Sequence, residues 1–200
     1  MSLATFIMEQ PIGYRLWQAP FAERKLAPLF CHNDLARIQR VLDVGCGPGT
    51  NTHHFARVDY LGIDINEKYI DSARRRYGRA FVAADVTTYR VAEDQRFDCV
   101  LVNSFLHHVA TPDVQRILTH LASLLTPDGH VHILDLVLPP DASIGRLLAR
   151  WDRGDFPRPL NEWEGLFASA FEPIVFEPYI LRGAGVGLWN MVYFKGRART

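Results

Sequence analysis

The segment Val41–Thr50 constrains the fold of this chain more than any other feature. An apolar β-type run ends there in three glycines at alternate positions, Gly45, Gly47 and Gly49, and a polar residue follows. Glycine is needed where the backbone turns with positive φ or approaches a ligand closely, because no Cβ obstructs it. A strand that enters such a turn and then a helix builds a nucleotide-type site at the carboxyl edge of a parallel sheet. The segment therefore predicts an α/β fold with such a site.

A second carboxylate follows at a distance that suits a ribose. Asp64 closes another apolar run, Tyr60-Leu61-Gly62-Ile63, roughly 20 residues after the glycine loop, where an acidic residue accepts hydrogen bonds from ribose hydroxyls. We expect Asp64 to bind a ribose, with an N-cap-type role as the alternative.

The glycine spacing separates two kinds of nucleotide ligand. A dinucleotide fingerprint reads Gly-x-Gly-x-x-Gly, whereas this chain has Gly-x-Gly-x-Gly with Pro48 in the loop. The loop resembles motif I of the class I S-adenosylmethionine-dependent methyltransferases. Three further segments within residues 38–138 resemble later motifs of that family in the same order: Phe81–Val86, Phe97–Val109 and Leu124–Leu134. The His-His pair after the fourth strand resembles the small-molecule branch, which includes ubiquinone and menaquinone biosynthetic methyltransferases.

The resemblance implies a binding site for S-adenosylmethionine, with S-adenosylhomocysteine as the product. Asp43 would order the loop and the methionyl ammonium, and Asp85 would contact the adenine amino group. The alternatives are a buried Asp43 that caps neighbouring amides and an Asp85 that forms an Asx turn. The residues implied at the cofactor are Asp43, Gly45, Cys46, Gly47, Gly49, Asp64, Ile65, Asp85, Val86 and Asn103.

Methyl transfer from a sulfonium is an in-line displacement, so the protein contributes mainly alignment, worth roughly 7–11 kcal/mol. His107 and His108 are the candidates for a general base, because imidazole titrates near neutral pH. The alternative is that one of them packs structurally beside the cofactor. A small organic acceptor is expected, with O or N methylation favoured over C methylation.

The acceptor-binding residues are expected in two segments flanking the core. Tyr14 and Trp17 lie in an N-terminal extension that the resemblance places over the cofactor as a lid, and Arg150 and Trp151 lie in a later insertion. Core packing is the alternative for each of them. No metal is expected, because no ligand set with zinc spacing accompanies His53-His54 or His130 and His132.

The chain's 200 residues allow one domain. The alternation of apolar runs and helical periods predicts an α/β fold with a mostly parallel sheet. The resemblance implies that this sheet is Rossmann-like and doubly wound, with an antiparallel last strand and helices on both faces. The expected parts are an N-terminal helical lid or extension (1–37), a cofactor-binding core (38–138), an acceptor-side insertion (139–160), and a C-terminal helix and hairpin (161–200).

Local signals place several boundaries within this plan. Pro28 is expected to stop or kink a helix over 21–27, and Thr111 to cap the next long helix. Asn161 and Glu164 read as a capping box, and two strands, Ile174–Leu181 and Leu188–Phe194, as a hairpin.

Composition narrows the partners and the compartment. Lysine and arginine number 22 and so do aspartate and glutamate, a neutral balance that argues against nucleic acid. No apolar run of membrane-spanning length, signal sequence or Cys-x-x-Cys pairing is evident among the three cysteines, so a cytoplasmic monomer or homodimer is expected.

Three other functions remain open. They are a nicotinamide-dependent oxidoreductase, a methyltransferase-like binding or scaffold protein without catalysis, and a methyltransferase acting on amino groups of nucleic acid or protein. The last class usually carries an Asp/Asn-Pro-Pro-aromatic motif, where this chain has Asn103-Ser104-Phe105-Leu106.

Overall fold

A seven-stranded sheet forms the centre of the protein. The structure is a computed structural model that describes residues 21–151, 155–183 and 185–199. The strands run in the order β3-β2-β1-β4-β5-β7-β6. Their bounds are β1 Arg40–Val44, β2 Asp59–Asp64, β3 Ala80–Ala83, β4 Phe97–Asn103, β5 Leu125–Leu136, β6 Phe171–Gly183 and β7 Val186–Ala198.

The first five strands are parallel to one another, and β7 runs antiparallel to both β5 and β6. The direction of winding reverses between β1 and β4, and such a switch point is where open α/β sheets bind ligands. The predicted fold class is confirmed.

Six α-helices occur in the described residues: α1 Ala22–Lys25, α2 Ala27–Cys31, α3 Glu67–Tyr77, α4 Thr111–Leu124, α5 Ile144–Trp151 and α6 Leu160–Ala170. Short 3-10 helices span Leu35–Arg37, Thr52–Phe55, Glu93–Gln95 and Leu106–His108.

Helices cover both faces of the sheet because alternate residues of a strand point to opposite faces. Leu42 and Val100 pack in one core cluster with residues of α4 and α6. Val41 and Leu101, their neighbours in sequence, pack in a second cluster with residues of α2 and α3. The central strands are therefore apolar on both sides.

Two predicted helix starts, at Asn66 and at Thr111, agree with the structure to within one residue. A polar cap marks the first, and an early proline marks the second. The Asn66 side chain accepts hydrogen bonds from the first turn of α3, and Gly78 ends that helix with φ of 60°. Helix α4 begins at Thr111, as its first residue, and Ala110 is the N-cap. The expected capping role of Thr111 is therefore wrong.

Two other predicted boundaries are wrong because tertiary packing overrides local signals. The chain breaks at Leu26, between α1 and α2, and Pro28 lies in the first turn of α2, where its missing N–H costs nothing. Helix α6 starts at Leu160 after Pro159, so Asn161 is already helical and no capping box forms. Burial of Trp163 in this helix, with its indole N–H donating to Leu136 O at 2.9 Å, fixes that register.

The C-terminal hairpin is confirmed and is longer than predicted, with 13 residues in each strand. Its turn joins Gly183 to Val186, and Gly185 has φ of 81°. Strand β7 lies between β5 and β6; it pairs with β6 from Val186 to Ala198 and with β5 from Met191 to Gly196. In the part of the chain that the structure describes, no helix combines the length and the apolar character needed to cross a membrane.

Candidate active site

A cavity of about 310 Å³ opens at the carboxyl ends of β1, β2 and β4. Seven of the residues predicted to contact cofactor or to act as a base line it: Gly45, Gly47, Asp64, Ile65, Asp85, Val86 and His108. Other residues of its wall include Tyr69, Ser104, Phe105 and Ile117. Residues far apart in sequence thus meet at the edge predicted from the glycine loop.

The glycine loop forms the floor of this cavity in a conformation that needs glycine. Gly45 and Gly47 have φ of 65° and 54°. A Cβ on Gly45 would lie 2.9 Å from Phe105 Cγ, whereas a Cβ on Gly47 would meet no atom within 4 Å. The first glycine therefore permits close packing of the loop against Phe105, and the second leaves bare backbone at the cavity.

Asp64 is held in place by the backbone around it. Its Oδ2 accepts a hydrogen bond from Gly47 N at 2.9 Å, and its Oδ1 accepts one from Asn66 N at 2.8 Å. Burial raises the pKa of this carboxyl, and the two N–H donors oppose the rise. The side chain is thus a fixed acceptor that lies at the end of β2 and faces the cavity.

Asp85 forms the Asx turn expected as its alternative role, and its contact with adenine stays a prediction. Its Oδ1 accepts hydrogen bonds from Thr87 N and Thr87 Oγ1, both at 2.8 Å, which is the Asx-turn arrangement. The same residue lies on the cavity wall beside Val86. The turn therefore fixes the direction in which the Asp85 side chain is presented.

Asp43 lies behind the cavity wall, with none of its surface exposed. It accepts hydrogen bonds from Tyr60 Oη at 2.8 Å and from the Asn51 amide at 3.2 Å. Asn51 in turn accepts from Asn103 Nδ2 at 3.2 Å, and Ser104 Oγ donates to Asn103 Oδ1 at 3.2 Å. This chain connects Asp43 to the cavity wall at Ser104. Burial raises the pKa of Asp43 to about 7, although its hydrogen-bond donors act in the opposite direction.

Cys46 and Gly49 also lie in the loop without lining the cavity. Cys46 is buried, and a Cβ on Gly62 would come within 2.9 Å of its sulfur. Gly49, with φ of 79°, packs so closely that its Cβ would lie 3.0 Å from the rings of Phe81 and Tyr77. Like Asp43 and Asn103, these two residues do not line the cavity, and their packing determines the shape of the glycine loop.

The structure separates the two adjacent histidines. His107 is buried, and its Nδ1 lies 2.6 Å from Oδ1 of the buried Asp135 on β5. Burial alone would raise the pKa of Asp135, but His107 and the N–H donors of Leu136 and Leu106 hold it below its usual value. His108 lies on the cavity wall, with its ring centroid 3.9 Å from that of His107. Only His108 is therefore placed to meet a bound molecule.

Arg158 is a structural residue of this site that sequence reasoning missed. Its buried guanidinium donates to Leu106 O at 3.1 Å and to Val109 O at 2.6 Å, on either side of the histidine pair. It also lies 4.9 Å from the centre of the Trp163 ring. Burial lowers its pKa, which Glu162 opposes. In the sequence, Arg158 stands just before the proline that precedes an apolar helix. This arrangement is too common to identify Arg158 as a residue of the site.

The residues predicted to bind the acceptor are not brought together in the described part of the chain. Tyr14 and Trp17 lie outside the described residues, as does the side chain of Trp151. Arg150 is exposed on α5, a helix that packs against β7 through buried Gly145 and Ala149. A different cation lies near the cavity, because Lys25 Nζ of α1 donates to Ser104 Oγ at 3.2 Å.

Comparisons with known proteins agree with this geometry. Residues 41–129 match a family model described as a methyltransferase domain. Trans-aconitate 2-methyltransferase of Escherichia fergusonii is 29% identical over 178 residues, which cover 86% of this chain and 66% of that protein. The same enzyme of Variovorax paradoxus is 32% identical over 53% of this chain and 42% of its own length. The matches thus span less than two thirds of these relatives.

Two solved structures have the same fold. The N-methyltransferase NodS from Bradyrhizobium japonicum, in complex with S-adenosyl-l-homocysteine, superposes with a TM-score of 0.73 at 16% identity, over 98% of this chain and 96% of that one. Human N-acetylserotonin methyltransferase, in complex with SAM, gives 0.69 at 15% identity, over 93% and 55%. Motif order, the family model over residues 41–129 and the shared fold all make this chain similar to the class I S-adenosylmethionine-dependent methyltransferases.

Proposed function

We propose that this chain binds S-adenosylmethionine in the cavity beside the glycine loop and transfers its methyl group to a small organic acceptor. The observation that carries the proposal is the meeting of three features on one cavity: bare backbone at Gly47, the fixed acceptor Asp64 and the presented carboxylate Asp85. A nucleoside with an attached amino-acid chain needs a ribose acceptor, an adenine contact and a loop for its polar tail, and this arrangement offers all three.

In this proposal the ends of β2 and β3 hold the nucleoside. Asp64 accepts hydrogen bonds from the ribose hydroxyls, because its two oxygens are already oriented by Gly47 N and Asn66 N. Asp85 accepts from the adenine amino group, and Ile65 and Val86 contribute apolar wall on either side. Gly45, Cys46, Gly49, Asp43 and Asn103 set the shape of the loop that receives the methionyl part.

S-adenosylmethionine supplies a methyl group already activated by its sulfonium. The protein's part is then to hold the acceptor in line, which is worth roughly 7–11 kcal/mol. Where the acceptor atom loses a proton, His108 takes it, since that residue faces the cavity. A positioned base adds about 10²–10⁴-fold to the rate. His107, paired with Asp135, and Arg158 hold the turn that carries His108.

The acceptor is proposed to be small, partly apolar and acidic, methylated on O or N rather than C. Phe105, Ile117 and Ile65 give the cavity an apolar lining. Lys25 adds a positive charge beside Ser104, and the trans-aconitate enzymes among the relatives act, by their names, on a carboxylic acid. Residues 1–37, with Tyr14 and Trp17, are proposed as the lid, and 139–160, with Arg150 and Trp151, as the acceptor-side insertion.

The remaining parts of the proposal concern the setting of the protein. A cytoplasmic monomer or homodimer that binds no nucleic acid accords with the neutral charge balance of 22 basic and 22 acidic residues. The core over 38–138 and the C-terminal helix and hairpin over 161–200 complete the proposed division of a single domain.

Two measurements test the function in turn. A thermal-shift titration with S-adenosylhomocysteine should stabilise the protein, whereas NADH should not; the reverse result would overturn the cofactor assignment in favour of an oxidoreductase. Release of S-adenosylhomocysteine is then followed against a metabolite library that includes di- and tricarboxylic acids and amines. Tight cofactor binding without turnover of any acceptor would favour a binding or scaffold protein.

A further inference from the structure

A cluster of three side chains outside the cavity has the composition and spacing of a metal site. Glu23 of α1 meets His53 and His54 of the 3-10 helix Thr52–Phe55. One carboxylate oxygen and one nitrogen from each ring all lie within 4.8 Å of one another. The adjacent histidines alone did not predict this site, because the third ligand lies 30 residues away in sequence.

The individual distances fit a small divalent cation. Glu23 Oε1 lies 3.1 Å from His53 Nε2 and 3.7 Å from His54 Nε2. Zinc binds histidine nitrogen and carboxylate oxygen at about 2.0–2.2 Å in tetrahedral geometry, which puts neighbouring ligand atoms about 3.3 Å apart. The two distances lie on either side of that value, and the ligand atoms of the two rings lie within 4.8 Å of each other.

The ligands differ in how firmly the fold holds them. The His54 side chain is 12% exposed, and its ring lies 5.0 Å from that of Phe30, centre to centre. The side chains of His53 and Glu23 are 54% and 67% exposed, so a hydrated ion can reach them. One fixed ligand and two accessible ones, with room for water as the fourth, make a site that is built in part and open to solution.

We propose that Glu23, His53 and His54 bind a divalent transition-metal ion of the zinc class, which fastens α1 to the segment after the glycine loop. Neutral imidazole and carboxylate are ligands that zinc accepts readily. Two residues beyond Glu23, Lys25 donates to Ser104 on the cavity wall. The ion therefore also steadies the position of Lys25 beside the cavity. This proposal does not depend on which molecule the cavity binds.

The test is a calorimetric titration of the untagged, EDTA-treated full chain with Zn²⁺, repeated with Co²⁺. One equivalent should bind, and Co²⁺ should give the visible absorption of a low-symmetry, four-coordinate site. At a hundredfold excess over Kd, mass action predicts a rise in Tm of about 5–10 °C. The variants His53→Ala, His54→Ala and Glu23→Gln should each weaken binding at least tenfold.

Two control variants isolate this cluster from other zinc ligands. His32 forms a similar exposed pair with Glu177, at 2.5 Å, but it has no second histidine. Cys31 is an exposed free thiol. His32→Ala and Cys31→Ser should leave the affinity unchanged. Absence of stoichiometric binding, equal losses in the controls, or full affinity in Glu23→Gln would each overturn the three-ligand site.

Discussion

The sharpest test of the proposed cofactor site is the replacement of Asp64 by asparagine. The change keeps the size of the side chain and removes its charge and one acceptor oxygen. In the wild type both oxygens are engaged from behind, Oδ2 by Gly47 N and Oδ1 by Asn66 N. An amide has one oxygen for these two donors, so its NH₂ group must face a backbone N–H or turn toward the ribose.

The expected loss follows from the hydrogen bonds to a ribose diol. A hydrogen bond to a charged group contributes about 1.5–3 kcal/mol, so two bonds set an upper bound near 6 kcal/mol. The amide of Asp64→Asn retains part of this binding energy. We expect a loss of about 3 kcal/mol, which raises Kd roughly a hundredfold. Asp64→Ala, which removes both acceptors, should weaken cofactor binding by at least tenfold even if water replaces them.

Isothermal titration with S-adenosylhomocysteine measures the effect directly. Asp59→Asn is the matched control, because Asp59 begins the same strand and its exposed side chain pairs only with Arg40, at 3.0 Å, among the ion pairs of the described residues. The control should bind like the wild type. Because burial raises the pKa of Asp64, wild-type affinity should also start to fall at a higher pH than an ordinary aspartate would give. Unchanged affinity in Asp64→Asn would refute the ribose assignment.

The parts of the site that sequence reasoning predicted are those whose signal is contiguous. The glycine loop and Asp64 each follow an apolar strand, and parallel strands bring their carboxyl ends together whatever lies between them. Their meeting at one cavity is therefore a consequence of strand direction. The two histidines could not be separated in this way. A 3-10 helix turns about 120° per residue, so neighbours must diverge, but only packing against Asp135 determines that His107 is the inner one.

What sequence reasoning missed depends on contacts between distant segments. Arg158 acts on carbonyl groups about 50 residues earlier, and an arginine that binds backbone leaves no pattern in sequence. Glu23 reaches His53 only because α1 packs beside the segment after the glycine loop. The start of α6 was misplaced for the same reason: Asn161 and Glu164 form a local capping signal, but burial of Trp163 sets the register of the helix.

Three further predictions concern two buried carboxylates and the proposed general base His108. With an acceptor that must lose a proton, such as an amine or a hydroxyl, His108→Asn should lower kcat by about 10²–10⁴-fold and leave cofactor affinity unchanged in titration. A carboxylate acceptor should show no such loss, and equal losses of turnover and affinity would indicate a packing role. Asp135→Asn removes the buried carboxylate that lies 2.6 Å from His107 Nδ1, at a cost of about 1.5–3 kcal/mol, and should lower Tm by about 3–10 °C. Because the pKa of Asp135 is held low, this carboxylate contributes to the free energy of unfolding above its unfolded-state pKa, and the contribution is lost below about pH 4. Acid unfolding that is identical in the wild type and in Asp135→Asn would contradict this. Asp43 should behave in the opposite sense, since burial raises its pKa to about 7. Asp43 then makes its full contribution to the free energy of unfolding below its unfolded-state pKa, about 3.9. That contribution declines as pH rises to 7, by roughly 4 kcal/mol for a difference of 3 pKa units. Asparagine at this position does not titrate, so urea unfolding between pH 4 and 8 should show the wild type losing that stability relative to Asp43→Asn and levelling off above pH 7. Parallel curves would mean that the hydrogen-bond donors around Asp43 keep it ionised throughout, and that they outweigh the cost of burying its charge.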